Sequence, residues 1–321
     1  MKPVAFMALV IAAVCLCLAL GLLGGVGTAS PEGCLTGAFL ADNPTTADID
    51  RFARDYGKKP YLVMVFIEWG GFVRPSVMKA VNKKKGVLIV TWEPWAFKGK
   101  KGIDFDALLA GEYDGYIKEF AGRLKKVGGS VYLRFAHEMN GDWYPWSAAK
   151  LGSDRYKAVY RHVKDVFDTV GETNVIWVFA VNWEDIPRKN HYGESYPGDD
   201  YVDWIGIDGY NWGTAKSWSR WMSFTELFKK RYEELAAESD KPIMISEFGS
   251  SSRGGDKARW IDEAFVSLKE MTRVKAFVLF NVDKETDWRF APGQAAGQAL
   301  RAALADSYFK DSEGGMEHGQ R

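Results

Sequence analysis

Residues 130–146 read SVYLRFAHEMNGDWYPW. The first nine, ending at Glu138, form a run rich in β-branched and aromatic residues of strand type. A helix is expected shortly after, following Ser153, because Val159, Tyr160, Val163, Val166 and Phe167 recur at helical spacing and Gly171 supplies a stop. This strand-then-helix unit repeats along the chain. Seven more strand candidates lie at 35–40, 61–69, 86–95, 174–183, 202–210, 242–249 and 274–282. Helical patterns also fall at 46–57, 75–85, 114–129, 223–239, 256–272 and 292–309. Alternation of apolar strands with amphipathic helices over about 275 residues predicts one parallel (β/α)8 TIM barrel, an α/β fold spanning residues 30–309. Two doubly wound domains are disfavoured, since no GxGxxG turn follows a strand and no linker divides the chain. The polar stretch 310–321 is expected to be a disordered tail.

Residues 1–29 are set apart from the fold. Lys2 precedes an uncharged, mostly apolar run from Pro3 to Gly27, followed by small residues with a plausible cleavage point after Ala29. The segment reads as a signal peptide, or as a membrane anchor through residues 3–27, since about 20 apolar residues suffice to cross a bilayer. Either way the body is expected to be exported. Two of the three cysteines, Cys15 and Cys17, lie in this run, leaving Cys34 alone and without an internal disulfide partner.

Lys plus Arg equals Asp plus Glu at 42 each, so there is no broad electrostatic case for nucleic acid or an anionic membrane surface. Aromatics make up 14% of the chain, with 13 Trp. In the stretch 134–146 charged groups and rings alternate too closely for one face to bury the rings while another solvates the charges. Such a mixture suits a polar ligand with apolar faces, such as a sugar.

In a TIM barrel the chemistry sits at the C-terminal ends of the strands. Glu138 ends the fourth strand candidate and Glu247 ends the seventh, so two carboxylates distant in sequence would meet at the barrel mouth. Such a pair is what glycosidic cleavage needs: one group protonates the departing oxygen, and the other meets the oxocarbenium-like carbon directly or through a water. Arg134 shares the strand parity of Glu138, and an ion pair with Glu68 or Asp208 inside the barrel would give it a structural role.

HEMNGDWYPW together with PIMISEFG resembles glycoside hydrolase family 26, within the clan of retaining barrel enzymes, and GDDYVDWIGIDGYNW at 198–212 resembles that family's sixth-strand region. The resemblance covers nearly all of the chain after the targeting segment. It implies Glu138 as acid/base, Glu247 as nucleophile, His137 beside the acid in the sugar site, Trp143 five residues after the acid, Tyr210 holding the nucleophile and Trp288 stacking a sugar. Asn140, Tyr144, Trp146 and Trp212 join them as candidate sugar contacts, with part of the aromatic set expected only to support loops. The characteristic activity, endo-β-1,4-mannanase, is the one the resemblance leads us to expect first, although many of those enzymes carry a WFWW-like stretch after the acid where this chain has WYPW, which weakens mannan specificity. Mixed-linkage β-1,3-1,4-glucanase and β-1,3-xylanase are the alternatives, and a non-catalytic glycan-binding barrel is the alternative of another class. The expected partner is a β-linked polysaccharide, met by a monomer without a cofactor.

Other chemistries lack their residues. HEMNG has Gly141 where HExxH needs its second His, and His162, His191 and His318 show no ligand spacing, so no metal is expected. No GxSxG elbow or Walker loop occurs, and Cys34 has no evident catalytic partner. The DxxDxDxE run of barrels that use the substrate's own acetamide is also missing.

Overall fold

The computed structural model describes residues 33–313 except 97, 99, 100 and 172. Eight strands follow one another: β1 (Cys34–Phe39), β2 (Leu62–Glu68), β3 (Val87–Glu93), β4 (Val131–Phe135), β5 (Val175–Asn182), β6 (Trp204–Asn211), β7 (Ile243–Ser250) and β8 (Val274–Phe280). Each pairs in parallel with the next, and β8 returns to pair with β1, closing the sheet into a barrel. The expected (β/α)8 fold is therefore present.

Seven longer helices pack around it among the described residues: α1 (Thr46–Tyr56), α2 (Pro75–Lys83), α3 (Asp114–Lys125), α4 (Ser153–Asp168), α5 (Phe224–Glu238), α6 (Lys257–Glu270) and α7 (Ala295–Leu304). Capping boxes at Thr45 with Asp48 and at Ser223 with Glu226 satisfy the first free N–H groups of α1 and α5 and set where those helices begin. The anticipated apolar face of α4 is buried as Val159, Tyr160, Val163, Val166 and Phe167, joined by Tyr156. No α-helix joins β5 to β6. Residues 183–203, dense in Pro, Gly, Asp and Asn, form instead two 3-10 turns, Tyr192–Ser195 and Asp199–Tyr201.

Alternate strand residues divide the core. Val63, Val65, Leu88, Val90, Leu133 and Phe135 pack outward with helix residues such as Phe52, Phe120 and Phe167. Their neighbours Met64, Ile89 and Tyr132 are as fully buried but lie outside that cluster, filling the barrel interior as period-two alternation requires. Gly206 belongs to this crowded interior, where an added Cβ would stand 2.4 Å from Ser246 Oγ and 2.9 Å from Ala180 Cβ.

One boundary differs from the sequence reading. Phe309–Lys310 runs parallel to the start of β1, so the folded unit extends past residue 309. At the other end the expected signal or anchor segment, 1–29, lies outside the described residues, as does the tail from residue 314. Among the described residues no helix is long and apolar enough to cross a membrane.

Candidate active site

The fourth strand was expected to run to Glu138, but β4 stops at Phe135. The chain then turns: Ala136 and Glu138 take φ values of 47° and 53°, the left-handed region that side chains with a Cβ rarely enter. Two neighbouring strands hold the turn, with Ala136 N donating to Trp92 O at 3.1 Å and Glu138 N to Ala180 O at 2.8 Å. Two aromatic side chains complete the hold: Tyr156 Oη on α4 donates to Ala136 O at 3.0 Å, and Trp146 Nε1 donates to His137 O at 2.7 Å. Strain of roughly 1–3 kcal/mol per residue persists only where the surroundings fix it this firmly. Here it sets the Glu138 side chain between Trp143 and Asn182.

Glu247 is positioned by a different irregularity. The pairing of β7 with β6 shifts register between Ile207 and Asp208, so that Asp208 stands opposite Glu247 and Ser246 is the extra residue. A bulge of this kind bends the strand and re-aims its side chains. Ser246 Oγ turns to donate to Asp208 Oδ1 at 2.6 Å. Glu247 Oε1 accepts from Arg134 Nη2 at 2.9 Å, and its other oxygen accepts from the Tyr210 hydroxyl.

Arg134 is fully buried and bridges Asp208, at 2.6 Å, to Glu247. Burial works against its charge, but the two carboxylates outweigh burial and hold its pKa above the ordinary arginine range. The expected ion pair with Asp208 is present, yet the same guanidinium also grips Glu247, so its role reaches the site. His137, Asp208 and Glu247 bring ligand-type atoms within 4.8 Å of one another, and this arginine already stands among them.

Glu138 accepts hydrogen bonds from Trp143 Nε1 at 2.8 Å and Asn182 Nδ2 at 3.0 Å. Its pKa is nevertheless pushed up to about 7, first by burial and then by the negative charge of Glu247; the two donors only moderate the rise. The sequence-predicted carboxylates thus share one barrel mouth in unlike surroundings, one in a wall of low polarity and the other against a cation. His137 stays neutral, because burial and the charges of Arg134 and Lys284 lower its pKa. Its Nε2 lies 3.2 Å from Tyr144 Oη, and its Nδ1 finds no hydrogen-bond partner among the described residues.

The aromatic candidates divide. Trp143 is 39% exposed, and Tyr144, Tyr210 and Trp212 are half-buried, so all four have surface to offer a ligand. Trp146 has none: it is completely buried, stacked on Tyr144 at 4.3 Å, and braces the turn through His137. Trp288 is 1% exposed and wedged against Tyr210 and Trp212, each at 4.8 Å, which leaves little of the expected stacking face open. Asn140 also departs from its expected sugar contact. Fully buried, it accepts from Asn182 N and donates to Asn182 O, Glu184 O and Asp185 Oδ1, clamping the end of β5 and hence the residue that holds Glu138.

Sequence reasoning missed three neighbours. Asn182 ends β5 and reaches Glu138; Lys284, after β8, sits with its Nζ 5.4 Å over the Phe66 ring; Glu93 ends β3. Glu93 is 4% exposed, accepts from Trp95 Nε1 at 3.1 Å, and has its pKa pushed up to about 7, chiefly by burial. A signal for it was available, since it lies two residues before the end of the third strand candidate, 86–95.

Over 282 residues, 85% of its length, the chain is 41% identical to endoglucanase H of Acetivibrio thermocellus. It is 26% identical over 253 residues, 67% of its length, to a mannan endo-1,4-beta-mannosidase of Bifidobacterium adolescentis. It spans only 30% and 25% of the lengths of these relatives. The solved catalytic domain of an endo-beta-1,4-mannanase from Bacillus sp. JAMB-750 shares the fold with a TM-score of 0.69, covering 88% of each chain at 18% identity. The model of glycosyl hydrolase family 26 matches residues 90–257, more than half of the sequence, from within β3 to the first residue of α6, and on that match the chain belongs to glycosyl hydrolase family 26.

Proposed function

We propose that the chain is an exported, retaining, endo-acting β-glycan hydrolase in which Glu138 is the acid/base and Glu247 the nucleophile. The contrast between the two carboxyls supports these roles. Glu138, with a pKa near 7, keeps a proton to give at neutral pH, whereas Glu247 is oriented by Arg134 and Tyr210 as an attacking carboxylate must be. In the first step Glu138 gives its proton to the glycosidic oxygen as the bond from that oxygen to C1 breaks, and a Glu247 oxygen bonds to C1 to form a glycosyl ester. In the second, Glu138, now ionised, takes a proton from a water whose oxygen attacks C1, and the Glu247 carboxylate leaves. Arg134 and Tyr210 hold the nucleophile in line in both steps, while Trp143 and Asn182 hold the acid.

For the substrate, the reading is a β-linked glucan. The observation that carries it is the 41% identity to an endoglucanase over most of the chain, against 26% to a mannan endo-1,4-beta-mannosidase over a shorter span. The departure WYPW from the mannanase-like WFWW points the same way. Mannan is the second reading, favoured by the mannosidase relative. Assays for new reducing ends on mixed-linkage β-glucan, β-mannan and β-1,3-xylan separate them: glucan is expected to be cut fastest, faster cutting of mannan selects the second reading, and activity on none refutes both. Export rests on Lys2 and the apolar run to Gly27. Cell fractionation tests it, and a soluble full-length cytoplasmic pool would count against it.

A further inference from the structure

Glu93 is a third carboxyl at the same barrel mouth, with no part in the two-step reaction. It ends β3, directly beside β4, and exposes about as much surface as Glu247, 4% against 5%. Its two oxygens are treated differently. Oε2 accepts from Trp95 Nε1 at 3.1 Å, whereas Oε1 stands 4.0 Å from His137 Nε2, beyond hydrogen-bonding distance. Two atoms 4.0 Å apart can both lie at ordinary hydrogen-bond distance from a single bridging hydroxyl oxygen. His137 is the residue immediately before Glu138, so the gap lies next to the proposed acid.

We propose that Glu93 is a substrate-binding residue which, together with His137, reads one ring hydroxyl of the sugar whose bond is cleaved. The inference rests on the glycosidase reading of the site and adds a specificity contact to it. The hydroxyl donates to Glu93 Oε1 and accepts from His137 when the imidazole carries its proton on Nε2, sharing that N–H with Tyr144 Oη at 3.2 Å. Near neutral pH Glu93 is divided between its protonated and ionised forms, and both offer an acceptor oxygen. Glu93 ends β3 and His137 lies in the braced turn just after β4, and because those strands are held in register, Thr91 opposite Arg134 and Trp92 opposite Phe135, the gap is fixed before substrate arrives. A hydroxyl in the other epimeric orientation would miss it and leave Glu93 Oε1 without this donor, while His137 Nε2 keeps only Tyr144 Oη; losing such a bond is how a site built to bond a hydroxyl discriminates.

The test uses the full chain, 4-nitrophenyl β-cellobioside and 4-nitrophenyl β-mannobioside, and the 2-deoxy, 3-deoxy and 6-deoxy forms of whichever is hydrolysed, altered in the sugar bearing the nitrophenol. The quantity compared is the ratio of kcat/KM in wild type to that in Glu93→Met or Glu93→Gln for each substrate, so that the intrinsic reactivity of each deoxy sugar cancels. With Glu93→Met the ratio should be roughly 10- to 100-fold on the parent and on all deoxy forms but one, and close to one on the form lacking the hydroxyl read by Glu93. Glu93→Gln, which keeps an acceptor for Trp95, should show the same pattern with a smaller loss, and it carries the test if the Met variant does not fold. A ratio equal across all deoxy forms would overturn the role of Glu93 and leave the glycosidase reading standing. A wild type inert on both parents would overturn the reading, and the inference with it.

Discussion

Replacing Glu138 by Gln should make the protein less stable in mild acid and more stable in mild alkali. The carboxyl has an ordinary value of 4.5 and is raised to about 7 in the fold. At about 1.36 kcal/mol for each tenfold change in proton affinity, the fold disfavours the ionised form by roughly 3 kcal/mol. Between these two values the native state binds more protons than the unfolded chain, so stability is fully present below pH 4.5 and is lost as pH rises through 7. Glutamine cannot ionise and escapes that loss. It offers only one acceptor oxygen to two donors, Asn182 Nδ2 and Trp143 Nε1, so one N–H faces the new amide at a cost of about 1 kcal/mol at every pH. The variant is therefore expected to be about 1 kcal/mol less stable than wild type near pH 4.5, and about 2 kcal/mol more stable near pH 8.5. Glu93, raised to about 7 by burial as well, titrates alike in both proteins and cancels in the difference. Urea unfolding at half-unit pH steps measures the quantity, and a difference constant across this range would refute the placement of Glu138 in a low-polarity wall.

Three further outcomes follow from the same contacts. The alkaline limb of kcat/KM should lie near pH 7, where Glu138 loses its proton, and Trp143→Phe should move it upward by up to about one unit, because the indole N–H favours the carboxylate; pH–rate profiles on an unactivated glycan read this, and a limb that stays put or moves down counts against it. Arg134→Met leaves Asp208 and Glu247 buried without their cation, so it should cost about 3–5 kcal/mol in urea unfolding and abolish measurable turnover; a stable, active variant would show that the bridge is dispensable. Gly206→Ala drives a Cβ into Ser246 Oγ and should destabilise by about 1–3 kcal/mol while also lowering kcat, because Ser246 precedes Glu247 on the bulge; unchanged melting would mean that the barrel interior has room there.

The barrel was legible because its strands are short apolar runs and its helices carry a period near 3.6, as in α4, where all five expected residues of the apolar face are buried. Glu138 and Glu247 were legible for a related reason, since a strand's C-terminal end is a position in sequence as well as in space. Contacts made across the barrel were not. Arg134 could be aimed inward by parity, but its grip on Glu247 depends on the register shift at Ser246, which no local pattern announces. Asn140 and Trp146 looked like sugar contacts because they lie beside the acid; the left-handed turn at Ala136 and Glu138 points them into the protein, where they brace β5 and the turn itself. Glu93 and Asn182 are the last residues of β3 and β5, and went unnoticed because a strand-end carboxyl or amide gains meaning only from its neighbours.

The central claim, that Glu247 bonds covalently to the sugar while Glu138 manages the proton, is tested most directly by trapping the intermediate. A 2-deoxy-2-fluoro β-glycoside of the preferred sugar with a dinitrophenolate leaving group should form a glycosyl ester that hydrolyses slowly, because the fluorine destabilises the oxocarbenium-like transition states of both steps and the leaving group rescues only the first. Peptide mapping by mass spectrometry should find one sugar per chain, on the peptide containing Glu247, and no label in Glu247→Ala. A sugar attached to Glu138 or Glu93 instead, or an unlabelled chain whose first natural product is the α anomer, would contradict it.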